Sequence, residues 1–187
     1  MTGESPSAWH PQGAPPDFRF TAENETLARG IVGRYPAGRS ASALLPLLDL
    51  AQRQNGRWLS PAALAYVADF LGLSPLKVRE VASFYTMFNL EPVGRYEVQV
   101  CRTTPCCLCG AEDLWKTCRA KLNVEEDGGT TRDGLFSLKE VECLGACVNA
   151  PVVQINDLYY ENLTPETLNT LLDTLAATGP ALPKPER

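Results

Sequence analysis

Residues 96–106 read YEVQVCRTTPC and residues 135–147 read LFSLKEVECLGAC. Each stretch opens with a strand-like run and ends in a loop-like segment that carries two cysteines. The four cysteines are Cys101, Cys106, Cys143 and Cys147. Two neighbouring strands that end at one edge of a sheet would present these two thiol pairs to each other. The pattern therefore predicts a site built from four sulfur atoms.

Composition narrows the class of protein. The chain has 187 residues, 44% of them hydrophobic, and a net charge of −5. This charge gives no indication of nucleic-acid binding, and no apolar run reaches the ~20 residues of a membrane span. The N-terminus carries no Lys or Arg before Arg19, so it lacks the pattern of a secretory signal or an organelle presequence. We expect a cytosolic chain without direct membrane insertion.

In a reducing cytosol, seven cysteines favour metal ligation or redox chemistry over a disulfide framework. His10 is the only histidine, which excludes Cys₂His₂ zinc sites and Rieske-type ligation. Four thiolates are the ligands of a [2Fe–2S] cluster, and the spacing of the two pairs favours a cluster. A structural zinc site in a small interaction module is the alternative.

Two further alternatives involve Cys109. Cys101, Cys106 and Cys109 also have the C-x₄-C-x₂-C spacing of plant-type ferredoxins, although Cys109 precedes what resembles the start of a helix. Cys106 and Cys109 form a C-x-x-C pair, as in thiol oxidoreductases, but that interpretation leaves Cys143 and Cys147 unexplained.

The remaining cysteines and charges have simpler interpretations. Cys118 lies on the apolar stripe of a predicted helix, and packing is also the expected role of Cys107 and Cys109. Glu140 and Glu142 would lie on a solvated strand edge in the simpler interpretation. Beside a cluster, their negative charge would lower its reduction potential, whereas Arg102 would act in the opposite direction. No glycine-rich nucleotide motif is present, so we expect no site for NAD or flavin.

The first half of the chain is predicted to be helical. We divide the sequence into a disordered leader (1–17), a helical domain (18–92), an α/β domain (93–178) and a flexible tail (179–187). About four amphipathic helices fit the apolar spacing of the second segment. Three dipeptides place a capping hydroxyl before a proline and predict helix starts: Ser60-Pro61, Ser74-Pro75 and Thr164-Pro165.

In the second half, the order of elements is βα…ββα. A strand at 95–100 precedes a helix at about 110–122, and a hairpin is expected around Asn156-Asp157. The predicted fold class is therefore α+β: an N-terminal helical bundle followed by a thioredoxin-like α/β domain. This second domain would carry the four-cysteine site, whether it holds a [2Fe–2S] cluster or the zinc alternative.

Three stretches resemble a known family. They are VECLGACVNAP at 141–151, TTPC at 103–106, and VREVASFYTMF at 78–88. Together they resemble the thioredoxin-like [2Fe–2S] subunit of bacterial NADH:quinone oxidoreductase, respiratory complex I. The resemblance covers about residues 18–178.

The resemblance implies that Cys101, Cys106, Cys143 and Cys147 hold one [2Fe–2S] cluster, and that Cys109 does not. It implies a partner flavoprotein subunit that binds FMN and NADH, together with other peripheral-arm subunits on the cytoplasmic side of the inner membrane. The cluster would exchange single electrons with the FMN, the isolated chain would not be catalytic, and the helical domain would bind the flavoprotein. NAD-linked hydrogenases and formate dehydrogenases use the same module and are the alternative parent enzymes.

Overall fold

The computed structural model describes residues 17–125 and 128–178, so the predicted tail and all but the last residue of the predicted leader lie outside the described residues. The chain divides into two compact units between Pro92 and Val93. No helix within 17–125 or 128–178 is long and apolar enough to cross a bilayer.

The first unit is helical, as the sequence predicts. Its helices are α1 (Ala22–Val32), α2 (Leu44–Gln54), α3 (Pro61–Leu71) and α4 (Pro75–Phe84), and a 3₁₀ turn at Ser40–Ala43 precedes α2. The fully buried residues of its core include Ala28, Leu47, Leu48, Val67, Ala68 and Val78. These residues lie on the predicted apolar faces of the helices.

The predicted helix starts are confirmed by their capping bonds. The Ser60 hydroxyl accepts a hydrogen bond from the N–H of Ala63, and Ser74 accepts one from Lys77. A proline follows each serine at the start of its helix, where the missing N–H costs nothing because the first N–H groups of a helix have no partner inside it.

The apolar spacing of Val78, Val81 and Ala82 would extend to Tyr85, but α4 ends before that residue. The helix ends at Phe84, and Tyr85 has an extended backbone with φ −89° and ψ 112°. Phe84, Tyr85 and Met87 are consequently 75%, 41% and 56% exposed. We call these three residues the α4 apolar patch.

The second unit is a sheet covered by helices. Its elements are β1 (Tyr96–Cys101), α5 (Thr104–Leu108), α6 (Ala111–Leu122), β2 (Phe136–Val141), β3 (Val153–Ile155), β4 (Leu158–Tyr160) and α7 (Pro165–Thr178). The strand order is β2-β1-β3-β4; β1 and β2 are parallel and the other two pairings are antiparallel. The predicted α+β class is confirmed.

Local sequence features explain the turn between β3 and β4 and the start of α7. Asn156 adopts φ 54° in the turn between β3 and β4, which confirms the predicted hairpin, and its side-chain oxygen accepts a hydrogen bond from the N–H of Glu97. The N–H of Thr167 bonds to the Thr164 hydroxyl at the start of α7. Leu168 and Leu172 of this helix are buried in the core with Cys118 of α6.

The segment after Cys101 was expected to be a loop, but residues Thr104–Leu108 form α5. Part of the signal was present in the sequence, since Pro105 lies in the first turn of α5, but Thr103 makes no capping bond of the kind that starts α3 and α4. A five-residue helix is too short to show apolar periodicity, so only its start could have been detected.

The space around Gly94 shows how closely the backbone before β1 approaches the backbone of β2. A Cβ atom at Gly94 would lie 2.6 Å from the carbonyl carbon of Phe136 and 2.8 Å from the nitrogen of Ser137. Both atoms belong to backbone, so we expect Gly94→Ala to destabilise the second unit by about 1–3 kcal/mol. Amide hydrogen exchange should show faster exchange across β1 and β2.

The matched control is Gly30→Ala, because a Cβ atom at Gly30 in α1 would meet nothing within 4 Å. This substitution should stabilise α1 by about 0.5–1 kcal/mol and slow exchange there. Unchanged exchange in β1 and β2 of Gly94→Ala would contradict the close backbone approach.

Candidate iron–sulfur site

The parallel pairing of β1 and β2 brings both cysteine segments to one edge of the sheet. Cys101 is the last residue of β1 and is in register with Val141, the last residue of β2. Cys143 follows only two residues later. The expectation that two adjacent strand ends present the thiols is confirmed.

The first pair of thiols is buried. Cys101 and Cys106 are each 1% exposed and pack with Ala111 and Val152. Cys106 lies in α5, whose helical turn directs its side chain inward. The Sγ of Cys101 lies 3.8 Å from the hydroxyl oxygen of Thr103. The packing of the domain therefore fixes these two sulfur atoms.

The second pair is exposed. The Sγ atoms of Cys143 and Cys147 lie 3.5 Å apart. Between them, Gly145 adopts φ 81°, a left-handed conformation that glycine tolerates, and its N–H donates to the Cys143 sulfur at 3.4 Å. This loop shapes the second pair, and a short 3₁₀ helix begins at Cys147.

The two cysteine segments meet, because Leu144 and Ala146 of the second segment pack against the buried first pair. Burial alone would raise the pKa of Cys101, but N–H groups of Thr103 and Leu144 donate to its sulfur, and with the neighbouring Cys106 they lower it. Leu144 belongs to the second cysteine loop. Burial and the Cys101 thiol raise the pKa of Cys106 to about 11. The pKa of Cys147 is raised, first by its hydrogen bond with Cys143 and then by burial.

This donor set fits a [2Fe–2S] cluster. All four cysteines are free of disulfides, and a cluster takes two thiolates at each of its two irons. The N–H groups directed at the sulfur atoms stabilise thiolate charge. Within 17–125 and 128–178, no group of three or more His, Cys, Asp or Glu side chains is arranged around one metal position.

Of the three remaining cysteines, one packs in the core as predicted and two do not. Cys118 is fully buried in the core, as predicted, and burial raises the pKa of its thiol to about 12. Cys107 and Cys109 were expected to pack, but both are exposed. Cys107 lies one helical step past Cys106 and donates to the carbonyl oxygen of Arg102 at 3.0 Å; Cys109 lies at the end of α5.

Arg102 makes contacts that sequence reasoning did not find. Its guanidinium forms ion pairs of 2.5 Å with Glu140 of β2 and with Glu112 of α6, and it lies 5.6 Å from the ring centroid of Trp115. From the sequence, Arg102 and Glu140 are separate charges with opposing effects. In the structure they are one ion pair, which only the strand register could reveal.

The model of the thioredoxin-like [2Fe–2S] ferredoxin family matches residues 28–176. The chain belongs to this family. The match spans both compact units and includes all four cysteines of the site. The expected cofactor, one [2Fe–2S] cluster, is confirmed for the family, and it is preferred to the zinc alternative.

Similar proteins cover nearly the same span. The chain is 55% identical to a subunit of NADH-quinone oxidoreductase from Rickettsia bellii over 159 residues, which are 85% of this chain and 95% of that protein. It is 51% identical to NADH dehydrogenase [ubiquinone] flavoprotein 2, mitochondrial, of Dictyostelium discoideum, over 87% of this chain and 66% of that protein. The family resemblance and the oxidoreductase class are confirmed.

Solved structures give the same fold. An NAD⁺-reducing [NiFe]-hydrogenase in its air-oxidised state matches with a TM-score of 0.63 and 25% identity, over 71% of this chain and 23% of that chain. The H₂-reduced state of an NAD⁺-reducing [NiFe]-hydrogenase matches with a TM-score of 0.62 and 23% identity, over the same shares.

Two serine substitutions can distinguish the ligand set that includes Cys143 and Cys147 from the plant-type set that includes Cys109. Cys147→Ser should lower the iron and sulfide content of the anaerobically purified protein or change its reduced EPR spectrum, because it removes one proposed ligand. Cys109→Ser should leave both unchanged, since Cys109 follows the end of α5 and is not among the four thiols that interact with one another. If Cys109→Ser lost iron while Cys147→Ser retained it, the plant-type spacing would be supported.

Proposed function

We propose that the chain is the [2Fe–2S] electron-transfer subunit of a NADH:quinone oxidoreductase, respiratory complex I, and that Cys101, Cys106, Cys143 and Cys147 hold its cluster. The observation that carries this proposal is the 55% identity to the R. bellii protein across 95% of its length. The four thiols at one sheet edge support it independently.

A bound [2Fe–2S] cluster would accept and return one electron at a time. The chain's own residues hold and shield it. Cys101 and Cys106 would anchor it from the core side, where the packing excludes water, and Cys143 and Cys147 would close it from the exposed side. Electrons would then enter and leave on the side of the exposed pair.

The electron partner proposed here is the FMN of a flavoprotein subunit that oxidises NADH. The sequence contains no nucleotide-binding motif, so hydride chemistry would belong to that partner. We place the chain peripherally on the cytoplasmic side of the inner membrane, among the other peripheral-arm subunits and without nucleic acid.

The α4 apolar patch supports a binding role for the helical unit. Phe84 and Tyr85 contact each other edge to face, with ring centroids 5.1 Å apart, and Met87 adds an exposed, adaptable side chain. Adjacent exposed aromatic and methionine side chains are enriched in protein interfaces. We propose that this patch contacts the flavoprotein.

A second candidate is the same module in an NAD-linked hydrogenase. The observation that favours it is the TM-score of 0.63 with the NAD⁺-reducing [NiFe]-hydrogenase. The two candidates share the cluster and differ in the parent enzyme, so the subunits that co-purify with the chain distinguish them.

The proposed function predicts about two irons and two sulfides per chain after anaerobic purification, without stoichiometric zinc. The protein should be EPR-silent when oxidised and give a spin-one-half signal after dithionite. Added flavoprotein with NADH should produce the same signal, whereas NADH alone should not. One zinc per chain, with no signal after reconstitution, would exclude the cluster.

Binding through the α4 apolar patch predicts that Phe84→Ser and Met87→Ser reduce co-purification of the flavoprotein with the tagged full chain by about tenfold or more, as for other interface anchors. Iron content should stay unchanged. The control is Leu27→Ser, another exposed apolar residue of the helical unit, which should co-purify normally. Normal co-purification of both patch variants would show that the flavoprotein binds elsewhere.

A further inference from the structure

We propose that Arg102 is a positioning residue: it ties the two cysteine loops together, and its positive charge favours reduction of the group that the loops hold. The inference rests on the proposed function. It begins from the position of Arg102 in the chain, directly after Cys101, at the point where β1 ends and the first cysteine loop begins.

The side chain of Arg102 joins three elements. One guanidinium nitrogen bonds to Glu140, near the end of the strand that leads to Cys143, and the other bonds to Glu112, in the first turn of α6. α6 follows α5, the helix that carries Cys106. The arginine therefore links the end of β1 to the helix after α5 and to the strand before Cys143.

The backbone of Arg102 makes the same connection. Its N–H donates to the carbonyl oxygen of Val141 at the end of β2, and its carbonyl oxygen accepts from the Cys107 thiol. Backbone and side chain thus hold the two loops at a fixed separation. The sulfur atoms of a cluster must be placed within fractions of an ångström, so such a link has a direct consequence for the site.

The burial of this group distinguishes it from an ordinary surface ion pair. The Arg102 side chain is 25% exposed, whereas the Arg29 side chain in α1 is 70% exposed. The ring of Trp115 covers the guanidinium at 5.6 Å. Partial burial reduces screening by water and salt, and a planar guanidinium can serve two carboxylates at once.

The charges predict the direction of the redox effect. Arg102, Glu112, Glu140 and Lys116, which also pairs with Glu112 at 3.8 Å, together carry no net charge, and without the arginine they carry one negative charge. Added negative charge beside a redox site disfavours the reduced form. Removing Arg102 should therefore lower the reduction potential, and neutralising Glu140 should raise it.

Arg102→Lys and Arg102→Gln separate position from charge. In Arg102→Lys the charge stays but the two-armed geometry is lost, so iron loss to a chelator should accelerate by about threefold, as expected for a partly exposed ion pair, while the potential changes little. Arg102→Gln should show the same faster loss. Its equilibrium constant for one-electron reduction should also fall by about threefold, which is about 28 mV at 59 mV per tenfold.

Glu140→Gln removes the ion pair between Arg102 and Glu140 and also removes one negative charge. It should accelerate iron loss and raise the potential, opposite in sign to Arg102→Gln. A variant that merely misfolded would not produce potentials of opposite sign. The matched control is Arg29→Gln, which removes an arginine with a carboxylate partner at 2.5 Å and a ring contact at 5.5 Å in the helical unit. Arg29→Gln should change neither the rate of iron loss nor the reduction potential.

A measurement on the cluster-free full chain separates this inference from the proposed function. Amide exchange at Cys101, Arg102 and Val141 should accelerate in both Arg102 variants and stay unchanged in Arg29→Gln. If the wild type binds no cluster, the proposed function fails while exchange still tests the link. Unchanged iron loss, potential and exchange in Arg102→Gln would overturn the inference.

Discussion

The parallel pairing of β1 with β2 is the constraint on which the rest of the site depends. It places the ends of both strands at one edge of the sheet, so that segments 40 residues apart in sequence supply thiols to one place. The pairing needs close backbone contact at its beginning. Gly94 lies against the backbone of Phe136 there, and its N–H donates to the Ser137 hydroxyl at 2.6 Å. A shift of one residue in this register would turn Cys101 to the other face of the sheet, so the glycine at one end of the strand helps to position the thiol at the other end.

The two thiol pairs are positioned by different physical means. Cys101 and Cys106 are placed by burial against Ala111 and Val152, and hydrogen bonding lowers the pKa of Cys101 even though burial opposes it. Cys143 and Cys147 are placed by a short loop on the surface, which depends on Gly145 and an N–H···S bond. A buried pair resists solvent and an exposed pair permits a partner to approach, so this asymmetry places the proposed electron exchange on the side of the exposed pair. Leu144 connects the two halves, because it belongs to the exposed loop and packs against the buried pair.

The sequence predicted those structural elements that are determined by neighbouring residues in the chain. Hydroxyl–proline pairs predicted the starts of α3, α4 and α7, strand-like runs predicted β1 and β2, and the turn at Asn156-Asp157 predicted the hairpin. It did not predict the features that depend on tertiary neighbours. The contact of Arg102 with Glu140 exists because β1 and β2 are in register, and sequence separation carries no sign of it. The exposure of Tyr85 follows from where α4 stops, and element ends are poorly determined by periodicity.

The helix α5 shows why spacing alone left the ligand set open. Cys106, Cys107 and Cys109 lie within four residues, and a loop could present any of them to a metal. On a helix, each step turns the side chain by about 100°, so Cys106 and Cys107 cannot face the same way. Cys109 follows the last residue of α5, where the chain turns into α6 through Gly110 at φ 100°. The structure buries only Cys106 of the three and leaves the other two exposed. Whether a loop or a helix holds these three cysteines thus bears on the choice between the two ligand sets, and the structure has a helix, with Pro105 in its first turn.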